Sequence, residues 1–164
     1  MHAFPGYING NISTPVERRL YNRAKRIVEK KINSHEAKPL LDESIAIDPN
    51  SDGVYWLAEY YFTAGQYDRA EQQYTRFIEL DRTQAKAYLE MSSIYAKKEQ
   101  PEQARDVLQS GLNYFSANMS KYKPRPDDTV REKYNGKAGK IYDKYRRAVE
   151  MLKQEIKLYE EQTR

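Results

Sequence analysis

The chain has 164 residues, enough for one domain with one continuous core, and it carries 39% hydrophobic and 32% charged residues at a net charge of +4. It has no cysteine and only two histidines, His2 and His35. That excludes disulfides, thiolate metal sites and a cysteine nucleophile, argues against a histidine metal site or general base, and leaves the compartment open. No apolar run approaches the roughly 20 residues that cross a bilayer. Met1–Gly10 lacks the basic leader and apolar core of a signal peptide.

Residues 1–15 hold Pro5, Gly6 and Gly10 and read as a flexible arm. Thr14-Pro15-Val16-Glu17 opens a helix: Thr14 caps, Pro15 takes the first helical position, and Glu17 reaches back to close a capping box. Val16, Leu20, Ala24, Ile27 and Val28 continue it at helical spacing to about Lys31. Ser34 starts a second helix, with Pro39 in or just beyond its first turn, that runs to about Ile47 and stops at Asp48-Pro49-Asn50. Further helices are predicted at about Gly53–Thr63, Tyr67–Leu80, Gln84–Lys97 and Pro101–Tyr114. A loop over 116–127 contains Pro124 and Pro126. A long helix is predicted over 128–164, carried by Val130, Tyr134, Ala138, Ile141, Tyr145, Ala148, Leu152, Ile156 and Tyr159, with a break near Gly136 left open.

Val54, Leu57, Ala58, Tyr61, Gly65, Ala70 and Tyr74 are echoed 34 positions later by Tyr88, Met91, Ser92, Tyr95, Glu99, Ala104 and Leu108. Tyr21, Ala24, Lys25, Val28, Ala37, Leu41 and Pro49 repeat the pattern upstream, with Lys25 at a small-residue slot. A period of this length marks stacked helix pairs, which bury their apolar faces only against one another. The pattern resembles that of tetratricopeptide repeats over residues 16–118, divided at about 18–50, 51–84 and 85–118. The resemblance implies an all-α, right-handed superhelix (an α-α solenoid) of three helix pairs. The 119–127 loop would follow, and the 128–164 helix would cap the stack.

The resemblance also implies a non-catalytic adaptor or scaffold that binds a peptide or protein segment in a concave groove, with no cofactor and no metal. The implied groove residues are Asn22, Arg23 and Arg26 in the first repeat, flanked by Arg19 and Lys30. They continue as Tyr55, Trp56, Glu59 and Phe62 in the second, preceded by Asp52, and as Lys86, Leu89 and Glu90 in the third, followed by Ser93 and Lys97. Trp56 is the only tryptophan; it either anchors a ligand or packs on a neighbouring helix. Some family members clamp the C-terminal carboxylate of heat-shock chaperones. At the equivalent positions Asn22, Arg26, Trp56, Lys86 and Glu90 only Lys86 fits, so that clamp is not expected here. Gly136-Lys137-Ala138-Gly139-Lys140 lacks the glycine spacing of a phosphate loop. Residues 121–164 carry thirteen basic and eight acidic side chains. This leaves a second, less favoured reading: nucleic-acid or anionic-surface binding through the last helix. Its near-heptad spacing also allows pairing with a second copy.

Overall fold

A computed structural model describes residues 15–30, 34–49, 51–125, 129 and 136–162. The described residues are helical with short connections: α1 Pro15–Lys30, α2 Ser34–Ile47, α3 Ser51–Thr63, α4 Tyr67–Leu80, α5 Ala85–Lys97, α6 Pro101–Met119 and α7 Lys137–Gln162. One 3-10 turn, Ser120–Tyr122, follows α6. The chain divides into two compact units at Asp81/Arg82.

In the first unit α1 packs on α2, α3 on α4, and α1 and α2 both meet α3. Ala24, Val28, Ala37, Leu41, Val54, Leu57, Ala58, Tyr61, Ala70, Tyr74 and Phe77 are buried, so most repeat slots of the first two helix pairs are core positions, while Tyr21, Lys25 and Pro49 are half-buried and the turn residue Gly65 is exposed. Thr14 lies outside the described residues. Glu17 is wholly buried, and its Oε1 accepts a hydrogen bond from Ser44 Oγ of α2 at 3.2 Å. The predicted capping role thus becomes, in this structure, a tie between the first two helices. Pro39 sits well inside α2, on an exposed face.

In the second unit α5 packs on α6, and α7 lies along both, mostly along α6. Tyr145, Ala148, Val149 and Leu152 of α7 are buried. The Tyr145 ring meets Phe115 at 5.4 Å, Tyr122 at 5.9 Å and Tyr114 at 6.4 Å. This aromatic cluster corrects the expectation of a loop from 116: α6 runs on to Met119, because ending it at Tyr114 would abandon the packing of its last turns on α7. Val130 and Tyr134 lie outside the described residues. At the start of α7, Gly139 is buried and Ala138 is exposed, so the inward face there is one residue out of phase with the predicted stripe. Farther on, the Tyr159 hydroxyl donates to the Ser92 carbonyl of α5 at 3.2 Å, and burial pushes that phenol upward from its ordinary pKa.

The turns within the second and third helix pairs share one geometry. Gly65 has φ 71° and Glu99 has φ 58°. In the first turn Gln66 N–H donates to Tyr61 O at 2.9 Å and Gly65 N–H to Phe62 O at 3.0 Å. In the second, Gln100 N–H donates to Tyr95 O at 2.8 Å and Glu99 N–H to Ala96 O at 3.1 Å. This pair of bonds is the Schellman closure, which satisfies carbonyls left over at a helix end and needs a left-handed residue at its centre. Gln66 and Gln100 then open the next helix, their carbonyls accepting from the Ala70 and Ala104 N–H groups.

Candidate functional site

The implied ligand-contact residues fall in both units, and each unit holds its own set. In the first, α3 carries a connected aromatic group. The Tyr55 ring meets Trp56 edge-on at 5.4 Å, Tyr74 at 5.8 Å and Phe77 at 5.2 Å. Trp56 is half-buried, and the Lys25 ammonium of α1 stands 5.2 Å from its ring centroid. A cation over an indole face is attracted by the ring's quadrupole. The departure at the small-residue slot thus has a structural partner: Lys25 leans on Trp56 and pairs with Glu29 at 3.9 Å on its own helix.

Glu59 is engaged from two sides. Its Oε1 accepts the Tyr55 hydroxyl at 2.8 Å and the hydroxyl of the fully buried Tyr74 at 2.6 Å. These are charge-assisted bonds, short and stronger than neutral ones, and they fix the Tyr55 ring that abuts Trp56. Phe62 turns toward the helix end and meets Tyr67 at 5.9 Å, away from the Tyr55–Trp56 pair. On α1, Asn22 is half-buried while Arg23 and Arg26 are exposed; Arg26 Nε donates to the Asn22 carbonyl at 3.3 Å.

Asp52, in the first turn of α3, has its carboxyl pushed upward in pKa, first by desolvation and then by Asp81, with Lys25 and Arg18 pulling the other way. Tyr21 is raised by burial and by the neighbouring Asp52 and Glu17. The resemblance places Asp52 on the groove and Tyr21 in a repeat slot, but nothing in the sequence joins them to each other or to Asp81, because the three come from α3, α1 and the end of α4.

In the second unit Lys86 and Glu90 form a one-turn ion pair at 3.9 Å on α5. Leu89 is half-buried, and its carbonyl accepts the hydroxyls of Ser92 at 2.7 Å and Ser93 at 3.1 Å. Arg82 and Tyr114, absent from the predicted set, make another cation–ring contact at 4.9 Å. Among the described residues no group of three or more His, Cys, Asp or Glu side chains is placed to hold a metal ion, and no helix is long and apolar enough to cross a membrane.

Residues 61–123 match the tetratricopeptide repeat family. No curated protein matches the sequence. Among solved structures the chain is similar to the Yersinia enterocolitica type III secretion translocator chaperone SycD, with a TM-score of 0.60 and 17% identity over 94% of this chain and 92% of that one. It is also similar to two structures of MamA. One has a TM-score of 0.55 and 17% identity over 88% of this chain and 76% of that one. The other has 0.56 and 16% over 92% and 82%. Likeness at these identities establishes the fold alone: an α-solenoid of helix pairs.

Proposed function

We propose that this chain is a non-catalytic adaptor that binds a segment of another protein, with the first unit's Trp56 and Tyr55 as the aromatic anchor and Asn22, Arg23 and Arg26 as its polar flank. The observation that carries the reading is the Lys25–Trp56–Tyr55–Glu59 arrangement: the half-buried Tyr55 ring is held by its hydroxyl bond to Glu59, which the buried Tyr74 also holds, and Trp56 stands between that ring and Lys25. Rings fixed before a ligand arrives lose little freedom on binding, and Trp, Tyr and Arg are the residue types that most often dominate interface energies. Lys86, Leu89 and Glu90 offer a corresponding set on α5 of the second unit. The family match and the likeness to a translocator chaperone, whose name describes a protein that attends another protein, support a protein ligand.

The test is a peptide array probed with the intact chain and with a Trp56→Ala, Arg26→Glu double variant. A set of peptides retained by the parent and lost by the variant is expected, together with a shift of Trp56 emission on titration. Equal retention by both proteins, with unchanged emission at saturation, overturns the reading.

A second reading rests on the exposed cations Lys137, Lys140, Lys144 and Arg147, which recur every three or four residues on α7. They would serve an anionic polymer or surface. Binding to single-stranded RNA that falls steeply with salt, and is lost when these four are made Gln, would favour it.

A further inference from the structure

The net positive charge of α1 is gathered on its exposed face. The helix carries six cationic residues and two carboxylates. One carboxylate, Glu17, is wholly buried against Ser44, and the other, Glu29, pairs with Lys25. Arg19, Arg23, Arg26 and Lys30 follow one another at spacings of four, three and four and are all exposed. At 100° per residue they form a single row, roughly opposite the inward-facing Glu17, Tyr21, Ala24 and Val28. The row is about 16 Å long at 1.5 Å per residue. Among the described residues none of the four has a carboxylate at ion-pair distance. The undescribed residues of this unit, 1–14, 31–33 and 50, contain no Asp or Glu at all.

We infer that this row is the docking edge for an acidic protein segment in helical form, whose glutamates or aspartates recur every three to four residues. The inference deepens the proposed peptide-binding reading and rests on it. Three of the four cations are arginine, whose planar fork pairs carboxylates in two-point fashion and keeps its charge at every accessible pH. A partner helix with carboxylates at the same spacing has the same pitch as the row, so several pairs form in one register. A single strand of nucleic acid fits less well. Such ligands need open aromatic faces between the cations, and the row has none; the nearest indole already carries Lys25 on its ring.

The experiment uses the intact chain and a fluorescein-labelled, alanine-based helical peptide with glutamates at alternating spacings of three and four. Its controls are the same peptide with glutamine, a neutral peptide with a tryptophan anchor, an oligouridylate of equal charge, and phosphatidylserine vesicles. The glutamate peptide is expected to bind, to weaken with salt, and to lose roughly tenfold or more in affinity when Arg19, Arg23, Arg26 and Lys30 are all changed to Gln. Thermal melts check that this variant keeps its fold, and an Arg23→Gln, Arg26→Gln pair provides a milder version expected to lose part of the affinity. Unchanged affinity in the quadruple variant overturns the inference, as does tighter binding of the oligouridylate or of the vesicles. Trp56-dependent binding of the neutral peptide with none of the glutamate peptide overturns the acidic class and leaves the groove reading standing. If no peptide of either kind binds, both readings fall.

Discussion

In the α3–α4 pair, Val54 on the first helix and Phe77 on the second are buried, and the Phe77 ring lies 5.2 Å from Tyr55. Thirty-four residues on, the same two slots of the α5–α6 pair hold Tyr88 and Gly111. A Cβ added at Gly111 would come within 2.7 Å of Tyr88 Cγ. The second repeat fills the slot from its second helix and the third fills it from its first. One upstream repeat length away, Tyr21 and Ser44 follow the third repeat's pattern. The difference teaches that such a repeat conserves the volume shared by two facing positions rather than the residue at either one, as close packing requires.

Five substitutions break or sharpen the comparison. Phe77→Ala removes the whole filling of the second repeat's slot and is expected to cost about 3–4 kcal/mol in urea unfolding. Gly111→Ala pushes a methyl into the Tyr88 ring and is expected to cost about 1–3 kcal/mol. Part of that loss should return when Tyr88→Val is added, which copies the second repeat's small partner; no recovery would sink the shared-volume account. The two turns form the next pair. Gly65→Ala meets nothing within 4 Å, so its expected cost of about 1–2 kcal/mol is purely conformational. Glu99→Gly, at the matching left-handed residue, should instead gain about 0.5–1 kcal/mol.

The smallest effect concerns Asp52, whose counterpart in the third repeat is the exposed Lys86. Because the folded-state pKa of Asp52 is raised, protonation favours the folded form, and that favour is lost as pH rises through the folded-state pKa. Asp52→Asn should therefore raise the unfolding free energy slightly at neutral pH, by about 0.5 kcal/mol or less. The gain should vanish below the ordinary carboxylate range of about 4.

The helix pairs were readable because the 34-residue period marks positions that must be small or buried whatever the neighbours do. Ala70, Ala104, Tyr74 and Leu108 are wholly buried, and Tyr61 is 8% exposed. What the pattern missed are pairings between slots. Gly111 looks like a helix weakener until Tyr88 is seen against it. Glu17 looks like a capping residue until Ser44 reaches it from α2. Glu59 reads as a groove charge from its position alone, yet Tyr74, fifteen residues away, bonds to it. Pro124 and Pro126 suggest a loop from residue 116, whereas contacts of Phe115 and Tyr114 with a helix beginning at Lys137 keep the backbone coiled to Met119. The four-cation row on α1 was visible as residues, but its net effect depends on Glu17 leaving the surface.

The seat of α7 on α6 also orders events at the ribosome. α5 and α6 emerge well before Tyr145, Ala148, Val149 and Leu152, so the greasy side that those residues cover stays bare while translation continues. The contacts inside the first unit all join residues made by Asp81; those of α7 inside the second must wait. A message truncated between Met119 and Tyr145 would therefore release a polypeptide whose α5–α6 pair keeps a sticky side, the kind of product that quality-control proteases clear first.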